Sequence, residues 1–267
     1  MKHIVIMGAT SGIGLRVAEI YATAGWRVGV AGRKDDVMKE LQKRFPEKVE
    51  WEHIDVTHKS AVTKLERLIQ NVGGMDIYLH VAGIGFENSS LEVAEEVSTV
   101  ETNVVGFTRM VDTAFRYFRD KCSGIGHIAA ITSIAGTNGV GELASYSSSK
   151  KFQQTYLTSL EQLANKQGLK ISFTDIRPGW IRTPLLKPDR EYPMTMELED
   201  IIPAIIKALI RKSRMVVIDK RWNVGYNLWR LIPNRLWVKM PINVSTKADP
   251  VETAENTVVE ETEATPV

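Results

Sequence analysis

The chain opens with a short apolar run, Lys2–Met7, that passes directly into Gly8-Ala9-Thr10-Ser11-Gly12-Ile13-Gly14 and then into a helical pattern at Leu15, Val17, Ala18, Tyr21 and Ala22. Strand, glycine turn and helix in that order constrain the fold more than any other feature of the sequence. Glycines let a backbone turn tightly and approach a pyrophosphate, whose charge meets the N-terminus of the following helix. The spacing here is Gly-x-x-x-Gly-x-Gly rather than the commoner Gly-x-Gly-x-x-Gly. Taken alone, it also fits a glycine-rich turn with no ligand.

Further strands are expected at Gly25–Gly32, Val49–His53, Met75–Val81, Gly124–Thr132, Lys170–Ile176 and Met215–Ile218, with helical segments between them. Regular alternation of this kind predicts an α/β fold, a doubly wound and mostly parallel sheet with ligands at the carboxyl ends of the strands. The second strand ends in Gly32-Arg33-Lys34, where an NAD site usually carries an acid for the ribose hydroxyl. Two cations there suit a 2′-phosphate and point to NADP, although both also fit the exposed start of a helix. Asp55, after the third strand, either accepts from an adenine amino group or caps the helix beginning near Lys59.

Tyr146 and Lys150 stand one helical turn apart if their segment is helical, and so share a face. An ammonium near a phenol favours the phenolate and lowers the tyrosine pKa, making it usable in proton transfer. Ser133 falls at the carboxyl end of the Gly124–Thr132 strand, where its hydroxyl can hold a carbonyl oxygen against Tyr146. Asn103 lies inside a helical pattern, where asparagine is a poor choice. A local kink whose freed carbonyl holds a water explains it, as does an exposed polar position. A Tyr-x-x-x-Lys spacing by itself also arises by chance on solvated helices.

In series, Gly8-x-x-x-Gly12-x-Gly14, Asp55-Val56, Ala82-Gly83, Asn103, Ser133, Tyr146-x-x-x-Lys150 and Pro178-Gly179 with Thr183 resemble the short-chain dehydrogenase/reductase family over roughly residues 2–220. The resemblance implies a Rossmann-type sheet of about seven strands with helices on both faces, a nicotinamide cofactor and reversible carbonyl/alcohol chemistry. By it, Tyr146 is the general acid, Lys150 lowers its pKa and holds the nicotinamide ribose, and Ser133 positions the substrate oxygen. Asn103 holds a water linking Lys150 to solvent. Cofactor contacts are expected from Gly8, Thr10, Ser11, Gly12, Ile13 and Gly14, from Arg33, Lys34, Asp55, Val56, Ala82 and Gly83, and from Tyr146, Lys150, Pro178, Gly179, Ile181 and Thr183. NADP (NADPH) is expected in preference to NAD. The sequence departs from the family pattern at Met7, where a threonine is usual, and at His80-Val81-Ala82-Gly83, where Asn-Asn-Ala-Gly is usual. Asparagines there hydrogen-bond neighbouring strands, so His80 must do that work or leave it undone.

The 184–196 loop carries leucines, methionines and a tyrosine, which suits an apolar or lipid-borne substrate or a lid packed on its own core. Residues 221–244 are expected to form a basic, aromatic helical extension, with Trp222, Trp229 and Trp237 among Arg230, Arg235 and Lys239. Such interleaving fits a peripheral membrane contact through 222–240, tryptophans at the headgroup level, and equally a helix packed on its own sheet or another subunit. Residues 245–267 carry six acids and one lysine and are expected to be a disordered tail.

One cysteine, Cys122, excludes an intramolecular disulfide and argues for a reducing compartment. No signal-peptide core or apolar run of about 18 residues is seen, so a cytoplasmic protein is expected, with attachment to the inner face of a membrane as the alternative. No His/Cys/carboxylate cluster has metal-ligand spacing, and no metal is expected. The function expected is an NADP-dependent reductase of a ketone or aldehyde, a homo-oligomer (dimer or tetramer) acting on a small molecule. A nucleotide-binding regulator without turnover is the competing class. Nucleic-acid binding through the basic 201–244 segment is disfavoured because no reading motif accompanies the charge.

Overall fold

The computed structural model describes residues 1–183, 186–187 and 189–247. Seven strands form the main sheet: β1 (His3–Met7), β2 (Arg27–Gly32), β3 (Val49–His53), β4 (Ile77–His80), β5 (Ile125–Ile131), β6 (Lys170–Arg177) and β8 (Met215–Val217). They are ordered β3-β2-β1-β4-β5-β6-β8, and every pairing is parallel. The order reverses between β1 and β4, which opens a crevice at their carboxyl ends. A second, two-stranded antiparallel sheet pairs β7 (Arg190–Glu191) with β9 (Thr246–Lys247).

The central strands are apolar on both faces because helices cover both. Ile4 and Ile6 of β1 point into one core with Val17, Tyr21, Ile205 and Leu209; Val5 and Met7 point into the other with Leu65, Leu68, Phe107 and Phe118. The first core lies beneath α1 (Gly12–Thr23), α2 (Asp35–Arg44) and α7 (Leu198–Arg211). The second lies beneath α3 (Ala61–Val72), α5 (Phe107–Lys121) and α6 (Ala144–Lys166). Met7, which departs from the pattern expected from the resemblance, is fully buried and serves packing here. Between α4 (Val93–Val100) and α5 the chain widens into a π-helix over Glu101–Gly106, and Asn103 stands in it, fully buried.

Beyond β8, the Asp219 carboxylate caps α8 (Lys220–Trp229) by accepting from the Arg221 amide. Trp222 and Trp237 are buried and Trp229 packs against the core. Their rings form an edge-to-face series at 6.0 and 5.9 Å, and the Trp237 Nε1 of α9 (Asn234–Trp237) donates to the Gly139 carbonyl at 2.6 Å. Of the two readings of this segment, the described structure shows the helix packed on its own domain: the indoles bury their area there and do not stand at a headgroup level. No helix among the described residues is long and apolar enough to cross a membrane. Thr246–Lys247, assigned to the tail from sequence, pair instead with β7, and the Ser245 hydroxyl donates to Glu87 at 2.9 Å. The remainder of that tail, 248–267, lies outside the described residues.

Candidate active site

The first wall of the crevice is the turn from β1 into α1. Gly8 has φ +93°, and a β-carbon there would meet the Ala82 amide at 2.5 Å; one on Gly14 would stand 2.1 Å from the Gly8 carbonyl oxygen. Close packing of backbone on backbone is thus available only to glycine at both positions. Ser11 precedes α1 in an extended conformation and its side chain caps nothing, leaving the first helical amides for another acceptor. Thr183 reaches across to this turn: a β-carbon on Gly12 (φ +49°) would lie 3.4 Å from its Cγ2. Thr10 packs over Gly32 at the end of β2, and Arg33 and Lys34 follow, both exposed and without a hydrogen bond or ion pair among the described residues. Ile13, Val56 and Ile181 are buried in the cores, which leaves only their backbones to face a ligand.

The second wall brings together side chains from three elements and the backbone of a fourth. Ser133 follows β5, buried, its hydroxyl accepting from the Ala135 amide at 3.1 Å. Tyr146 and Lys150 lie on α6, with Lys150 Nζ 5.6 Å from the centre of the Tyr146 ring. Lys150 is almost completely buried and donates to the Ile131 carbonyl and to Gln153 Oε1, both at 3.2 Å. The loop after β4 closes over these groups. A β-carbon on Gly83 would touch Lys150 Nζ at 3.4 Å, and one on Gly85 would strike the Tyr146 ring at 2.4 Å. Asn103 ties that loop to α6: its Oδ1 accepts from the Ile84 amide (2.9 Å), and its Nδ2 donates to the Ile84 carbonyl (2.7 Å) and to Ser149 Oγ (3.1 Å).

Residues 2–193 match the profile of the short chain dehydrogenase family. An uncharacterized oxidoreductase of Staphylococcus saprophyticus is 32% identical over 225 residues, covering 81% of this chain and 94% of the relative. One of Myxococcus xanthus is 27% identical over 239 residues, with 87% and 93% covered. This chain belongs to the short-chain dehydrogenase family. It is accordingly an oxidoreductase acting on CH–OH or C=O groups. Among solved structures, ElxO with NADP bound superposes with a TM-score of 0.72 at 19% identity (84% of this chain, 99% of that one). Actinorhodin polyketide ketoreductase with NADPH gives 0.62 at 26% (69% and 72%). The first likeness is one of fold alone.

Within this short-chain dehydrogenase, several expectations need correction. Asp55 does not cap α3, whose N-cap is Ser60; its Oδ1 accepts from the Thr57 amide (2.9 Å) and hydroxyl (2.7 Å) and folds the turn after β3. Burial pushes that carboxyl up, but the two Thr57 bonds and the Arg33 charge outweigh it and hold it below the usual range. His80 does not bridge to a neighbouring strand: its Nδ1 meets the Tyr78 hydroxyl at 3.0 Å on the same strand, and its buried Nε2 has no partner among the described residues. The lowering of Tyr146 by Lys150 is also absent. Burial raises the phenol above its ordinary value, with the Ser133 hydroxyl acting the other way. Burial in turn brings Lys150 down to about 8, against the opposing pull of Asp175.

Reading the sequence alone misses two buried glutamines. Gln153 Nε2 donates to the Asn103 carbonyl at 2.9 Å, and Gln154 Nε2 to the Ser133 carbonyl at 2.7 Å. Their signal was present: they stand three and four residues past Lys150, on the same helical face, where a core position would otherwise be apolar. Glu87 ties two later segments to the loop after β4: its Oε1 accepts from Tyr192 at 2.5 Å and its Oε2 accepts from Ser245. Among the described residues no group of three or more His, Cys, Asp or Glu side chains could hold a metal ion.

Proposed function

We propose that this chain is an NADPH-dependent reductase of a ketone or aldehyde, reversible, with Tyr146 as general acid in the reductive direction. The observation that carries the reading is the convergence of Ser133, Tyr146, Lys150 and Asn103 on one buried network beside a glycine-lined cradle and an uncapped helix N-terminus. The glycine turn, packed backbone on backbone at Gly8 and Gly14, leads into the uncapped N-terminus of α1, which fits a pyrophosphate, and Arg33 and Lys34, unpaired among the described residues, fit a 2′-phosphate. Thr10, Ser11, Gly12 and the backbone of Ile13 would hold the phosphates. Asp55, Val56, Ala82 and Gly83 would hold the adenosine half, and Pro178, Gly179, Ile181 and Thr183 the nicotinamide half.

A bound nicotinamide cofactor supplies a hydride to the carbonyl carbon. The protein supplies the rest. Ser133 orients the carbonyl oxygen, and Tyr146 gives that oxygen its phenolic proton, so the product is the alcohol. Burial keeps Tyr146 protonated at neutral pH, as a donor requires, and Lys150 at about 8 remains mostly an ammonium there. Trp180 and Tyr192, rings 4.8 Å apart, line the substrate side and favour an apolar carbonyl compound. Exposed Val93, Val97, Val100 and Val105 form a stripe along α4 and the π-turn that supports a homo-oligomer.

A carbonyl panel followed at the reduced-cofactor absorbance, with NADPH and with NADH, tests the reading in the wild type and in Tyr146→Phe. Turnover with NADPH should fall by about 10²–10⁴ in the variant while cofactor affinity holds. Tight NADPH binding with no turnover on any carbonyl would favour a nucleotide-binding regulator instead.

A further inference from the structure

The amide of Gln153 occupies a particular place. It is 1% exposed, one helical turn beyond Lys150, and both of its ends are used. Oε1 accepts from Lys150 Nζ at 3.2 Å, and Nε2 donates to the Asn103 backbone carbonyl at 2.9 Å. The orientation of the amide is fixed by its partners, since an ammonium only donates and a carbonyl only accepts. The carbonyl it reaches belongs to the π-turn. The Phe107 amide, four residues beyond Asn103 and its ordinary helical partner, donates instead to the Thr102 and Val104 carbonyls. The widened turn thus presents the Asn103 carbonyl to α6, and the glutamine side chain spans the gap to the lysine.

We propose that Gln153 is a positioning residue of the active site, the direct link that holds the Lys150 ammonium to the π-turn at Asn103. This rests on the reductase reading for its catalytic consequence, but the link itself is a property of the protein alone. It assigns to a side chain of α6 the connection between Asn103 and Lys150 that the family resemblance gives to a water. Without the amide, Lys150 keeps only the Ile131 carbonyl among its protein acceptors in the described structure. The other titratable groups around Nζ are Tyr146 on α6, His80 on β4 and Asp175 on β6, and Asp175 is already engaged by Arg177 (2.6 Å) and Thr132 (2.5 Å). None of these can take over the place of Gln153 between the two groups.

The test uses full-length protein labelled at lysine Cε, with Lys150 assigned by its absence in Lys150→Arg, and pairs the NMR titration with the pH profile of kcat for NADPH-dependent carbonyl reduction. Gln153→Leu keeps the volume and removes both bonds; the Lys150 midpoint should drop by about one unit, the equivalent of one charge-assisted hydrogen bond. Gln153→Glu keeps an acceptor and adds an opposite charge, so the midpoint should rise by about one to three units. The alkaline limb of kcat should move in the same two directions, with kcat at neutral pH reduced roughly tenfold in Gln153→Leu. Should Gln153→Leu not fold, the sign of the Gln153→Glu shift decides alone. A Lys150 titration that stays at the wild-type position in the variants overturns the link, whatever the protein turns over. A titration that moves while kcat and its limb stay put overturns the catalytic role. Absence of carbonyl turnover in the wild type refutes the reductase reading instead, and the titration still decides the link.

Discussion

Trp222 lies directly on Gly179: a β-carbon built on that glycine would stand 2.2 Å from the indole Nε1, which donates to the Met194 carbonyl at 3.2 Å. One contact therefore joins α8, the Pro178–Gly179 turn and the segment around Met194. Trp222→Ala should cost about 3–5 kcal/mol of stability, the usual loss for a buried aromatic truncated to alanine. It should also weaken NADPH binding by loosening the turn. Denaturant unfolding and a cofactor titration read the two effects. Wild-type stability in the variant would mean that the seat collapses at no cost.

Arg33 leaves β2 exposed and unpaired among the described residues. Arg33→Ala should weaken NADPH binding by roughly 1.5–3 kcal/mol, one charge-assisted contact, and leave NADH nearly unchanged. Equal losses for the two cofactors, measured by fluorescence titration, would remove Arg33 from the 2′-phosphate.

His80 is buried as a neutral imidazole. Burial, with a smaller push from the Lys150 charge, lowers it to about 3. Its pKa in the fold is below the unfolded value, so its contribution is complete above about pH 6.5 and is lost as pH falls toward 3, at up to about 1.36 kcal/mol per pH unit. His127, lowered by burial to about 4, adds a second loss in the same direction. His80→Asn should flatten the decline in unfolding free energy between pH 7 and pH 5, read from urea midpoints. A slope equal to the wild type would show that His80 protonates freely in the fold.

The proposed homo-oligomer can be tested at the valines of α4. Val97 is 48% exposed and Val93 72%, with Val100 and Val105 continuing the stripe. Val97→Asp should shift the protein toward monomer in sedimentation velocity, because a charge at the centre of an apolar interface is left without water or partner. An unchanged sedimentation coefficient would remove this stripe from any interface between copies.

The sequence by itself determined the alternation of strands and helices and the glycine turn. These follow from local rules: apolar periodicity, backbone freedom at Gly8 and Gly14, and the spacing of Tyr146 and Lys150 along one helix. Only the tertiary structure decided which groups meet. Gln153 and Asn103 are 50 residues apart in the chain and come together because α6 packs against the widened turn. The three indoles after β8 read equally as surface anchors or as core, since composition is the same for both; their direction was set by Gly179 and the Gly139 carbonyl, far away in sequence. The Tyr146 and Lys150 protonation states likewise came from burial, which depends on what the loop after β4 covers. Spacing along a helix fixes which side chains share a face but not how much water the fold leaves around them.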